Sequence, residues 1–230
     1  MIIGELTPEQ KKQYKDFLES LLTEHRLQRF AEVLANRTRY VTVVLEDIFQ
    51  AHNASAVLRS CDCFGVQDVY FAENYNEYTL STEVTMGSDK WLNINRFDDS
   101  QKAIEKLRND GYQIVATTPH TKDVEVDNLD LSSGKIALFF GTEHTGLSDT
   151  VMQNADTFVR IPMYGFTESY NISVSAALTL YSVVRRLKES NIDWELSLKE
   201  KFDIELDWAM KSIRRLEVHD EYFMNQLLEK

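Results

Sequence analysis

Residues 161–171 read IPMYGFTESYN, and the way this stretch links the strand before it to the helix after it decides how the chain folds. It leaves a strand through Pro162 and Gly165, two breakers of regular structure, and presents Ser169 and Asn171 just before the apolar run Ile172 to Val184. Asn171 is placed to cap a helix over that run, and the first turn of such a helix offers backbone N–H groups without intrahelical partners. Upstream, FFGTEHTGLS (139–148) ends the apolar run Ile136 to Phe140, which reads as a buried strand. The chain then turns at Gly141, with Glu143 and Gly146 close behind and Ser148 as the cap of a short helix. A polar loop at the C-terminal end of a strand is where open α/β sheets bind ligands. Further upstream, HNASAVLR (52–59) reads as the start of a helix. Asn53 is its expected N-cap, Ala56, Val57 and Phe64 lie inside, Gly65 is the stop, and Arg59 is held mid-helix.

The rest of the chain repeats the same alternation. Val41 to Glu46 is a strand before the Asn53 helix, and Asp68 to Glu73 is the next apolar run, so a β-α-β parallel sheet is expected. A turn around Thr82 to Gly87 and a strand near Trp91 to Phe97 come next. Ser100 and Gly111 bracket a helix, and Tyr112 to Thr118 is a strand stopped by Pro119. Before the sheet, Tyr14, Phe17, Leu18, Leu21 and Leu22, then Leu27, Phe30, Val33 and Leu34, have helical spacing, with Thr7-Pro8 and Gln10 as a capping-box start. After it, Asn191 interrupts, and Trp194 to about Arg215 forms one long or two shorter amphipathic helices. The expected organisation is an N-terminal helical extension at 1–38, a central α/β domain at 39–190 and a C-terminal helical extension at 191–230.

A chain of 230 residues, 43% of them hydrophobic, can bury one sizeable core. No apolar run approaches the roughly 20 residues of a bilayer span, and the N-terminal MIIGELTPEQKK has no signal-peptide core, so a soluble cytoplasmic protein is expected. Cys61 and Cys63 are too divergent on one helix to pair and read as reduced packing thiols. The five histidines show no metal-ligand spacing, so no metal is expected. The net charge is −12, with 9 basic against 20 acidic residues in 41–184. An acidic chain is an awkward partner for nucleic acid, yet the field depends on how charge is distributed. Arg185, Arg186 and Lys188, and later Lys211, Arg214 and Arg215, are local basic clusters that read equally as solvated helix faces.

Taken together and in this order, the three segments resemble the three motifs of the SpoU (TrmH-type) RNA 2′-O-ribose methyltransferases of the SPOUT superfamily. The likeness spans roughly residues 26 to 188, and the ordered trio is far more specific than any one pattern alone. The resemblance implies a mostly parallel sheet flanked by helices, closed by a C-terminal trefoil knot, one of the rare exceptions to unknotted topology. It implies S-adenosylmethionine as cofactor, held by backbone around Thr117, Gly141, Ile161 and Tyr170 with Met163 nearby. Arg59 matches the family's catalytic arginine, Asn53 orients it or the substrate, Glu143 orders the loops around both, and Ser169 and Asn171 stand at the cofactor and ribose side. It further implies a homodimer in which each site borrows residues from the neighbouring subunit. One departure stands out: the family usually has leucine between that serine and asparagine, where this chain has Tyr170. A ring there is suited to wall an adenine pocket by stacking, and would abolish cofactor binding if it filled the pocket instead. His52 is a weaker candidate base, and His144 and His120 weaker still.

The short helical termini resemble those of tRNA-modifying TrmH proteins, and a D-loop guanosine of tRNA is the expected target. Two other readings stay open: 2′-O-methylation of 23S ribosomal RNA, and a noncatalytic RNA-binding protein on a decayed knot. A conventional Rossmann methyltransferase is disfavoured, since no glycine-rich turn comes after Val41 to Glu46.

Overall fold

The computed structural model describes residues 2–48, 50–75, 87, 89–119, 122–143 and 145–228. Their α-helices are α1 (Pro8–Ser20), α2 (Glu24–Leu34), α3 (Ala51–Phe64), α4 (Ser100–Asn109), α5 (Asp149–Asn154), α6 (Ile172–Glu189), α7 (Leu198–Ser212) and α8 (Leu216–Leu228). The strands are β1 (Val41–Glu46), β2 (Asp68–Ala72), β3 (Asn93–Phe97), β4 (Tyr112–Thr117), β5 (Val124–Glu125), β6 (Lys135–Phe140) and β7 (Thr157–Arg160). The chain divides into two compact units, Arg37–Glu195 and a second built from Met1–Asn36 with Leu196–Lys230.

The larger unit is an α/β layer structure on one seven-stranded sheet of order β3-β2-β1-β6-β4-β7-β5, with every pairing parallel. Because side chains alternate along a strand, a sheet covered on both faces needs apolar residues at nearly every position. β1 and β6 meet that demand. Val41, Val43 and Leu45 with Ile136, Leu138 and Phe140 pack on one side, among residues of α3 and α6. Val44, Ala137 and Phe139 pack on the other, with Ala103, Ile104 and Leu107 of α4 and Val151 of α5. The chain runs outward from β1 through β2 to β3, then crosses to β4 on the far side of β6. Loops at the C-terminal ends of β1, β4, β6 and β7 therefore converge near this reversal, where open parallel sheets place their ligands.

The smaller unit buries Tyr14 and Leu18 of α1, Phe30 and Leu34 of α2, Ile204 and Trp208 of α7, and Phe223 of α8. Phe30 meets Trp208 edge-on at 5.5 Å, and the Tyr14 hydroxyl donates to Asp220. Reciprocal capping boxes, Thr7 with Gln10 and Ser197 with Glu200, start α1 and α7. The region expected to be helical from Trp194 to about Arg215 holds one helix, α7, and a further helix, α8, begins just after Arg215, which takes a positive φ of 52°.

Two expectations need correction. Asn53 does not cap α3: the helix begins at Ala51, Gln50 occupies the cap position without a side-chain cap bond, and Asn53 lies inside the first turn. A capping residue needs an extended backbone, which here falls at Gln50 with φ −97° and ψ 112°. The sequence reading also lacked β5, whose two residues are too short for any periodicity to register. The turn expected around Thr82 to Gly87 lies outside the described residues except for Gly87.

Candidate active site

Three segments far apart in sequence meet through three side chains. Nδ2 of Asn53, on α3, donates to Oε1 of Glu143 at 3.0 Å and to Oε1 of Gln50 at 3.0 Å. Nδ2 of Asn171 donates to the same Glu143 oxygen at 2.6 Å and to Oδ1 of Asn53 at 3.2 Å. The Asn171 Oδ1 in turn accepts from the backbone N–H and hydroxyl of Ser173 at 2.9 and 2.6 Å, the cap of α6. Asn53 is 4% exposed, so its amide has exchanged water for these partners. One carboxylate oxygen thus joins the β6 loop to the first turn of α3 and the start of α6.

The β6 loop is shaped by a tight fold-back. Thr142 and Gly146 exchange backbone hydrogen bonds at 3.0 and 3.1 Å, and the Thr142 hydroxyl accepts from the backbone N–H of Thr145 at 3.0 Å. A Cβ on Gly141 would sit 2.2 Å from the carbonyl oxygen of Gly146, so any side chain there would force the loop open. The approaching backbone that demands glycine at this position belongs to the loop itself.

Beside this loop opens a cavity of about 340 Å³, within the ordinary range for small-molecule sites. Thr117, Gly141, Ile161, Met163 and Tyr170 all line it, as do Ser169 and Glu143. Its walls combine apolar Leu147, Met152 and Ile172 with hydroxyls of Thr118, Ser175 and Thr179. The Tyr170 side chain is 39% exposed, and its hydroxyl lies 3.5 Å from the Pro162 carbonyl, so the ring stands at the wall and leaves the cavity open. A second cavity of about 910 Å³ lies across the loop and shares Thr142, Glu143 and Gly146 with the first, and Asn53 and Gln50 line it.

Arg59 is not part of either cavity. It lies in a separate groove with His52, Ser55 and Ala56 of α3 and Ser173, Val174, Ala177 and Leu178 of α6. Exposed Val174, Leu178 and Tyr181 line α6 beside this groove. His120 and His144 lie outside the described residues. The sequence reading missed Gln50, Ser175 and Thr179. The last two stand four apart in an otherwise apolar stretch of α6, a spacing that puts polar groups on one helical face and was available as a signal.

Cys61 is buried and burial pushes its thiol well above the usual range, as suits a packing residue, whereas Cys63 is exposed. Of the basic cluster on α6, Arg186 is committed to the fold, donating to the carbonyls of Val126 and Leu129 at 2.9 and 2.5 Å. Arg185 and Lys188 are exposed: Arg185 lies 3.7 Å from Glu189, and the Lys188 ammonium, its pKa lowered by partial desolvation, lies 5.2 Å over the Trp194 ring. Among the described residues, no helix is long and apolar enough to cross a membrane.

The profile of the SpoU rRNA Methylase family matches residues 40–181. A protein of Borreliella burgdorferi named tRNA (guanosine(18)-2′-O)-methyltransferase is 45% identical over 197 residues, covering 86% of this chain and 90% of its own. Among solved structures, the TrmH/SpoU tRNA modifying enzyme of Aquifex aeolicus superposes with a TM-score of 0.75 at 31% identity, covering 84% of this chain and 98% of that one. An AdoMet-bound rRNA methyltransferase from Sinorhizobium meliloti gives a TM-score of 0.58 at 26% identity, over 66% of this chain and 58% of that one. With a matching profile over more than half its length, and motifs that meet in space through Asn53, Glu143 and Asn171, the chain belongs to the SpoU rRNA Methylase family.

Proposed function

We propose that this chain methylates the 2′-hydroxyl of a ribose in tRNA, with a D-loop guanosine as target and S-adenosylmethionine as methyl donor. The observation that carries the reading is the hydrogen-bonded junction of Asn53, Glu143 and Asn171, whose shared Glu143 also lines the cavity walled by Tyr170. The cavity suits that donor on its own chemistry: apolar walls for a purine, loop backbone along one side, and hydroxyl-bearing residues for an amino-acid end. When bound, S-adenosylmethionine supplies an electrophilic methyl group. Thr117, Gly141, Ile161 and Met163 hold it, and Tyr170 stacks at the wall. Ser169 and Asn171 face the ribose side, while Glu143, accepting from both asparagines, keeps the loop and the two helix starts in register.

Arg59 presents a planar guanidinium whose fork of N–H donors matches phosphate oxygens. Its role is to grip a substrate phosphate in fork geometry and to stabilise the ribose oxygen as its proton departs. Since Arg59 lies on the outer face of α3, it serves the site of a second copy. The apolar Val174, Leu178 and Tyr181 beside it form the contact of a two-fold homodimer. In this reading residues 39–190 are the methyltransferase domain, Ile161 to Asn171 and α6 form the trefoil knot, and the protein works in the cytoplasm without metal. A noncatalytic role is opposed by the closed Asn53–Glu143–Asn171 junction, which a decayed site has no reason to keep.

The test is transfer of labelled methyl from S-adenosylmethionine to unmodified total tRNA and, separately, to ribosomal RNA, with subsequent mapping of the 2′-O-methyl position. Label at a D-loop guanosine is expected. Label confined to ribosomal RNA would move the target, and label in neither would remove the catalytic reading.

A further inference from the structure

Glu46 closes β1, whose other residues are apolar or β-branched, and is 2% exposed. A carboxylate at that depth has to be matched by donors, and here they come from three separate segments. Ser148, the N-cap of α5, donates its backbone N–H to Oε2 at 2.7 Å and its hydroxyl to Oε1 at 2.6 Å. The hydroxyl of Ser100, at the start of α4, donates to Oε1, as does Nδ2 of Asn74 at 3.3 Å. Ser148 is the point at which the loop opened by Gly141 runs into α5. The entry of that loop is fixed by β6 and by the fit of Gly141 under Gly146, and its exit is fixed by Glu46.

We propose that Glu46 is a positioning residue for the S-adenosylmethionine cavity. It lines the second cavity but not this one, and acts through Ser148 by holding the wall of Thr142, Glu143, Gly146 and Leu147 where the cofactor needs it. The inference rests on the reading that this cavity binds S-adenosylmethionine. With its acceptor gone, the loop samples other positions, and apparent affinity falls by the fraction of molecules still in the competent one. The signal was present in the sequence as the first of two carboxylates, Glu46 and Asp47, that end a five-residue apolar or β-branched run, Val41 to Leu45.

The experiment is calorimetric titration of the full chain with S-adenosylmethionine, alongside thermal melting to establish that each variant is folded. Glu46→Ala should weaken binding about tenfold, the scale of one lost charge-assisted hydrogen bond. Ser148→Ala should weaken it about threefold. The double variant should be no weaker than Glu46→Ala, since both changes break one link. Glu46→Gln, which keeps one oxygen for the Ser148 N–H, should fall between wild type and Glu46→Ala. Ser100→Ala touches the same carboxylate away from the loop, so it should lower the melting temperature and leave affinity within about twofold. A folded Glu46→Ala with wild-type affinity would overturn the proposal, as would Ser100→Ala weakening the cofactor as much as Ser148→Ala. Should Glu46→Ala fail to fold, Ser148→Ala decides alone: weaker binding supports the proposal and unchanged binding overturns it. Wild-type chain that binds no S-adenosylmethionine would overturn the cofactor reading, and this inference with it.

Discussion

Asn53 and Arg59 stand six residues apart on α3 and serve opposite surroundings. At 3.6 residues per turn the two side chains leave the helix about 120° apart. Asn53 is buried in a junction of its own chain, while Arg59 is exposed in a groove shared with the apolar face of α6. The contrast teaches that one motif can face two ways, building a site on one side of a helix and, on the reading proposed above, completing another copy's site on the other. The largest effect should therefore come from the outward face. Arg59→Ala should cut turnover on the order of 10²- to 10³-fold, the scale of one lost transition-state contact, and leave S-adenosylmethionine affinity unchanged. Mixed with an inactive Ser169→Ala chain, it should regain activity, because such a heterodimer holds one complete site. Absence of recovery in a confirmed heterodimer would place Arg59 in the site of its own chain.

The inward face gives the next effect. Gly141→Ala would push a methyl to 2.2 Å from the Gly146 oxygen, and the loop would have to open. S-adenosylmethionine affinity should fall by about a hundredfold, since overpacking against backbone costs about 1–3 kcal/mol. Affinity unchanged in calorimetry would mean that the loop shape does not govern the cavity. Asn53→Ala should be milder: Glu143 keeps its bond from Asn171 and loses one donor, worth about 1 kcal/mol. In a domain of this size the melting temperature should drop by about 2–4 °C, with a measurable loss of cofactor affinity. Loss of stability with no loss of affinity would show that the junction holds the fold but not the site.

Sequence and structure agree where the physics is local. The buried strands β1 and β6, the caps at Ser148 and Asn171, and the capping box at Thr7 were legible because each is written within a few adjacent residues. The meeting of Asn53, Glu143 and Asn171 was legible only through resemblance, because no spacing in the chain states that positions 53, 143 and 171 come together. Gln50 took the cap position because the extended backbone falls there, while the Asn53 amide is engaged across the chain by Glu143, which no local pattern states. Glu46 looked like the end of a strand, and its donors, 28, 54 and 102 residues away, lay beyond any periodicity.

The basic clusters sharpen the comparison at its weakest end. If α6 bound RNA through Arg185, Arg186 and Lys188, replacing Arg186 would lower tRNA affinity and flatten its salt dependence by about one unit of slope. The geometry points elsewhere, since the Arg186 guanidinium is spent on the carbonyls of Val126 and Leu129 and so ties α6 to the turn after β5. Arg186→Ala should therefore cost about 1–3 kcal/mol of stability by stranding two carbonyls, seen as a lower midpoint in denaturant, with the salt slope of tRNA binding unchanged. A flattened slope at unchanged stability would return this cation to the RNA surface. It would also mean that the outward faces of both α3 and α6 meet the nucleic acid.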